Sequence, residues 1–173
     1  MPGAGKSLVT RIAQEMGYAV VIMGDVVREE TKKRGMELTP ENVGAVMLNL
    51  RDEEGPEAVA KHCIPTIENA KGNVVVVDGL RSLCEVEEYK RHFKSFVTIA
   101  VHASPETRFR RLFRRKRSDD PQGWESFLTR DTRELSVGLG NVIATADYVT
   151  VNEGSKIRTR KHIRNMLRKI VEK

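Results

Sequence analysis

The sequence begins MPGAGKS (residues 1–7), and the fold follows from how that stretch is read. A loop that cradles phosphate reads G-x-x-x-x-G-K-[ST]. Gly5, Lys6 and Ser7 supply its end, and the Gly that opens the pattern would stand just before Met1. Gly3 and Gly5 carry no side chain, so the backbone of Met1, Pro2, Gly3, Ala4 and Gly5 can fold closely around phosphate oxygens with its N–H groups inward. The helix expected from Lys6 adds its positive end. Lys6 would reach the terminal phosphates of ATP, and the Ser7 hydroxyl would hold Mg²⁺. The plain alternative is a Gly-rich segment ahead of a capped helix.

The elements that follow favour the first reading. Leu8, Val9, Ile12, Ala13 and Met16 recur at helical spacing and Gly17 stands where that helix would stop. YAVVIM (18–23) is the pattern of a strand buried on both faces. A mainly helical region is expected from about Val26 to Ala70, broken at Gly35 to Pro40 and at Gly55-Pro56. NVVVVDGLRS (73–82) is a second buried strand that ends on Asp78, followed by a helix over Glu85 to His92 and a third strand, FVTIAV (96–101). From Pro105 to Arg115, Phe109, Leu112 and Phe113 mark the core face of a helix. WESFLTRDTRELSVGLG reads as helix, DYVTV (147–151) as the last strand, and Ile163, Met166, Leu167 and Ile170 as the apolar face of a closing helix. Strands alternating with helices give an α/β class: a three-layer, nucleotide-kinase-like P-loop fold with a mainly parallel sheet, helices on both faces and a helical lid at about 105–135.

A loop of this kind hangs from the end of a strand, and no residue precedes Met1 to form one. In the nucleotide-kinase arrangement that strand is central, between the equivalents of 74–78 and 97–101. The reading therefore expects a strand and one Gly upstream, with Met1 internal to the loop. Without that strand both neighbours carry unpaired backbone groups, at roughly 1–3 kcal/mol each.

The 173 residues, 39% of them hydrophobic, suffice for one ordinary core, so one domain is expected. No apolar run approaches the roughly 20 residues that span a bilayer, and no basic-then-apolar leader opens the chain. Cys63 and Cys84 lack the pattern of a disulfide framework or zinc site and read as core thiols in a reducing cytoplasm. The net charge is +6, and the basic residues concentrate in RFRRLFRRKR (108–117) and KIRTRKHIRNMLRK (156–169), which points to phosphate-bearing partners, either nucleotides or a nucleic acid.

Acids and bases stand where the chemistry needs them. Asp25, in MGDVVRE (23–29), would share the crevice of the phosphate loop, with Arg28 one helical turn on. Asp25 could orient or deprotonate an acceptor hydroxyl, or hold a metal-bound water, and Arg28 could clamp an acceptor phosphate; the alternative for Asp25 is a helix cap. Asp78 ends its strand where a Mg²⁺-organising carboxylate is required, or simply forms a turn with Gly79. Arg81 is a second candidate clamp. In FRRLFRRKRSDD, Arg114, Arg117 and Arg110 could stabilise a transferring phosphoryl group when a lid closes, with Arg130 and Arg133 completing that lid. A solvated basic face is the alternative for most of these arginines.

In the order MPGAGKS, MGDVVRE, VVVVDGLRS, RRKRSDD and ADYVTVNEG, nearly the whole chain resembles archaeal P-loop proteins described as adenylate-kinase-related or dephospho-CoA-kinase-like. MGDVVRE is similar to the GD-x-x-R of adenylate kinases, which implies an acceptor-phosphate contact for Arg28 and a place near the reaction centre for Asp25. DGLRS is similar to their D-G-[FY]-P-R, although Arg81 comes one residue early and the Pro is absent. RSDDPQGWESFLTRDTREL resembles the closing part of the lid and supports Arg117, Arg130 and Arg133. ADYVTVNEG is similar to the segment of dephospho-CoA kinases that passes the adenine, which implies base contacts for Asn152 and Gly154. The expected function is Mg²⁺-dependent phosphoryl transfer from ATP to a nucleotide or nucleotide-like acceptor. An ATP-dependent RNA- or ribosome-associated factor and a nucleotide binder without turnover are the alternatives.

Overall fold

A computed structural model describes residues 1–115 and 120–172. Helix α1 (Lys6–Glu15) starts directly on the glycine-rich loop and buries Val9, Ile12 and Ala13, the face its spacing predicts. Next come β1 (Ala19–Ile22), α2 (Met23–Lys33), α3 (Pro40–Glu54), α4 (Ala58–Glu68) and β2 (Val75–Asp78). They are followed by α5 (Leu83–His92), β3 (Ile99–His102), α6 (Pro105–Arg115), α7 (Trp124–Ser136), α8 (Leu139–Ala144), β4 (Tyr148–Val151) and α9 (Lys156–Val171).

All strand pairing among the described residues is parallel. β1 lies beside β2 with Ile22 opposite Asp78, and β3 beside β4 with His102 opposite Val151. One core cluster, built around Val27, Leu50, Cys63 and Tyr89, joins β1 to α2, α3, α4 and α5. A second, around Ile12, Ala13, Val101, Ile163 and Leu167, joins α1 and α9 to β3. Helices thus cover the strands from two sides.

The two strand pairs are separate sheets. The edges of β2 and β3 that face each other, Val74 to Asp78 and Val97 to Val101, line one apolar cavity, with Met1 and Lys6 also in its wall. This explains a departure from the sequence reading: β2 was expected to be buried on both faces, yet all four of its residues are only half-buried. The outer valines of β4, Val149 and Val151, are exposed.

Other differences are local. Helix α2 begins at Met23 rather than near Val26, with Ile22 as its N-cap, so Asp25 lies inside the first turn and caps nothing. The third strand starts at Ile99 rather than 96, because the Thr98 amide and hydroxyl both donate to the Asp147 carboxylate, each at 2.7 Å. Of the residues expected on the core face of α6, Leu112 is buried, Phe109 is half-buried and Phe113 is half exposed, and Thr107 and Arg108 are buried beside Leu112. Only Cys63 is a core thiol, since Cys84 is exposed. Among the described residues no helix is long and apolar enough to cross a membrane.

Candidate functional site

The loop is gripped through its carbonyl groups. Arg108 donates to the Pro2 carbonyl at 3.3 Å, Arg111 to those of Gly3 and Ala4 at 3.5 and 3.2 Å, and Asn152 Nδ2 to that of Ala4 at 2.9 Å. Turning successive carbonyls toward α6 and the end of β4 leaves amides facing the other way. Among the described residues those of Gly3, Gly5, Lys6 and Ser7 have no acceptor, the last two as first-turn groups of α1. Gly3 and Gly5 make this shape possible. Their φ values are 76° and 102°, and a Cβ would meet the Arg108 carbonyl at 2.7 Å from Gly3 and Asn152 Nδ2 at 2.1 Å from Gly5. Row-like N–H groups at a helix N-terminus form an anion cradle.

Lys6 lies in this cradle, its ammonium 3.5 Å from the Met1 carbonyl. Burial holds it below the usual lysine range; Asp78 and Glu134 counter that effect, while Arg81 and Arg130 add to it. Those charges reach Lys6 from the end of β2 and from α7, so the loop, Asp78, Arg81, Arg130 and Glu134 form one electrostatic unit. Arg81 is fixed from both sides: Nε is 3.7 Å from Glu134, and Nη1 is 3.3 Å from the Met47 sulfur. Its backbone amide donates to Glu85, which also closes the capping box of α5 with Ser82.

Asp25 and Arg28 form an ion pair with each other on the exposed first turns of α2. They stand at the strand end next to that of Asp78: Ile22 is its register partner, and a Cβ on Gly79 would lie 3.1 Å from Met23 Cβ.

The arginines expected to form a lid separate into different environments. Arg114 lines a basic cleft with Arg110, Arg111, Arg115, Glu153 and Lys156. Arg130 is 3.7 Å from Asp120, and Arg133 is exposed. Arg117 lies outside the described residues. Asn152 is buried beneath the loop with its amide engaged on Ala4, whereas Gly154 is exposed.

Sequence reading missed Arg108, Asp131, Arg111 and Glu134. Arg108 makes a two-pronged ion pair with Asp131, 2.8 and 2.5 Å, while its Nε donates to the Ala103 carbonyl and its guanidinium lies 4.9 Å from the Phe127 ring centre. Helical spacing held the signal: Phe127, Asp131 and Glu134, four and then three residues apart, share the buried face of α7. Arg130 and Arg133, flanking them, drew the reading outward.

The donors suit Mg²⁺. The ion takes one or two protein oxygens and completes its octahedron with phosphate and water. An exposed Ser7 side chain at the start of α1 and a half-buried Asp78 at a strand end match that need. Among the described residues no group of three or more carboxylate, His or Cys ligands offers an all-protein cage.

Comparison with known proteins places the family and the fold. A protein-family model described as an AAA domain matches residues 1–127. The UPF0200 protein MJ1399 of Methanocaldococcus jannaschii is 51% identical over 173 residues, covering 99% of this chain and 87% of that protein. A UPF0200 protein of Methanothermobacter thermautotrophicus is 44% identical over 173 residues, covering 100% and 88%. The crystal structure of TT1252 from Thermus thermophilus shares the fold at a TM-score of 0.63 and 20% identity, over 97% of this chain and 93% of that one. The chain therefore belongs to the UPF0200 family, and its fold is an α/β P-loop nucleotide-binding fold.

Proposed function

We propose that loop 1–7 binds the triphosphate of ATP and that the crevice beside it transfers the γ-phosphoryl group to a nucleotide or nucleotide-like acceptor. The observation that carries this reading is the loop held from behind by Arg108, Arg111 and Asn152, with free amides and Lys6 on its open side. Ser7 and Asp78 would hold Mg²⁺, which supplies charge neutralisation at the β- and γ-phosphate oxygens when bound. The cleft between α6 and residues 152–156 would take the nucleoside end, with Arg114, Asn152 and Gly154 at its border.

In transfer, the bond from the γ-phosphorus to its bridging oxygen breaks as an acceptor oxygen bonds to phosphorus, and ADP leaves. Arg28 and Arg81 supply guanidinium groups for an acceptor phosphate, and Asp25 would take the proton of an acceptor hydroxyl. Arg130 and Arg133 would neutralise the moving group, and Arg117, expected to do the same, lies outside the described residues. The test is a screen of nucleoside monophosphates, dephospho-CoA and short RNAs with labelled ATP. Transfer that Arg28→Ala removes while ATP binding persists supports the reading; transfer unaffected by Arg28→Ala contradicts the acceptor assignment.

A further inference from the structure

Most basic residues on helices α2, α4 and α5 are neutralised where they stand. Arg28 pairs with Asp25, Lys32 with Glu29, Lys61 with Glu57, Lys90 with Glu87 and Arg91 with Glu88, each three or four residues away. Helix α9 is built differently. It is 16 residues long, contains seven Lys and Arg, and carries no acid within Lys156–Val171. Arg160 and Arg164 share Glu15 at 2.8 Å each. Among the described residues, Arg158, Lys161, Arg168 and Lys169 have no carboxylate partner, and all four are exposed.

Those four recur at spacings that keep them on one side of the helix with His162 and Asn165, opposite the buried Ile163, Met166 and Leu167. Glu172 lies just past the end of the stripe. From 158 to 169 the stripe is about 16 Å long at 1.5 Å per residue, and a nucleic-acid duplex presents one negative charge per about 1.7 Å of axis. Lys156, the first residue of α9, lines the same cleft as Arg110 and Arg114, away from the stripe. The one carboxylate in that cleft, Glu153, already accepts from the Ser104 amide and the Thr107 hydroxyl.

We propose that the outer face of α9 binds the phosphodiester backbone of a nucleic-acid duplex. The stripe holds no Phe, Tyr or Trp, so it has no platform for stacking unpaired bases. Its apolar residues face the core, and Ile157 and Val171 are exposed only at the two ends, so it lacks the continuous apolar face of a membrane-surface helix. The proposal does not rest on the nucleotide reading, because none of the four residues belongs to the loop or its cleft.

The experiment is fluorescence anisotropy of the full chain with a labelled 16-base-pair RNA hairpin, a DNA duplex of the same sequence and a single strand, across a range of salt. Four phosphate contacts give a slope of log affinity against log salt of about −3.6, or roughly a hundredfold loss between 50 and 200 mM. Replacing Arg158, Lys161, Arg168 and Lys169 together with Gln should abolish duplex binding and leave α9 folded by circular dichroism. The RNA and DNA arms identify which duplex is bound. If the fourfold variant does not fold, Arg158→Gln and Lys169→Gln singly should each reduce the slope by about one. Duplex binding unchanged by these substitutions, or stripe-dependent binding to phosphatidylserine vesicles without duplex binding, would overturn the proposal.

Discussion

Asn152 Nδ2 donates a 2.9 Å hydrogen bond to the Ala4 carbonyl and occupies the space where a Cβ on Gly5 would stand, 2.1 Å away. Two residues separated by almost the whole chain therefore fix the shape of the phosphate loop. Asn152→Ala removes one donor from a buried carbonyl, which at about 1–1.5 kcal/mol is about a five- to tenfold loss of ATP affinity. Gly5→Ala adds both a collision and a strained φ of 102°, and should remove binding altogether. Calorimetric titration of both variants with Mg·ATP checks this order; equal affinities would contradict it.

Arg108 and Asp131 are both buried, and their ion pair also carries the Pro2 contact. Asp131→Ala leaves the guanidinium without its counter-charge, a loss of about 3–5 kcal/mol in stability. Replacing both residues with apolar ones of similar volume should cost less than Asp131→Ala alone. Urea unfolding of the three proteins measures the difference.

Lys6 gives a pH dependence with two opposite signs. Burial lowers its folded-state pKa below the ordinary 10.5, so in the window between the two values the unfolded chain binds more protons. Stability from this group therefore rises with pH through that window. Phosphate binding needs the charged amine, so ATP affinity falls over the same window, earlier than for an exposed lysine. Thermal melts with and without Mg·ATP from about pH 7 to about pH 10 read both trends; affinity that stays level to the upper limit would count against Lys6 as the phosphate ligand.

The two cysteines should differ in reactivity. Burial pushes the Cys63 thiol up to about 11, and it lies in the core, whereas Cys84 is exposed. A thiol reagent at neutral pH should label Cys84 in the native chain, and Cys63 only after unfolding. Labelling followed by peptide mass analysis distinguishes them.

The sequence made the backbone of the fold legible because local rules governed it. The helix after MPGAGKS, the strand ending on Asp78 and the closing helix all follow from periodicity and flanking glycines. Asn152 over Ala4 and Arg111 on Gly3 were not legible, since both pair residues more than a hundred positions apart and no local pattern encodes them. Arg108 was misjudged for a different reason. Within a run of exposed arginines nothing in composition marks the one that turns inward, and its partner Asp131 is found only by following the buried face of α7 from Phe127. Likewise, the half-burial of β2 depends on what stands beside its free edge, which four valines in a row do not specify.

The central claim is that amides of residues 3–7, together with the Lys6 ammonium, grip a triphosphate. Calorimetric titration of Mg·ATP into the chain and into Lys6→Ala tests it most directly. Binding should be saturable at one site and weakened about tenfold to a hundredfold by Lys6→Ala, the worth of one charge-assisted contact. Identical binding by the two proteins, or none by the unaltered chain, would contradict it.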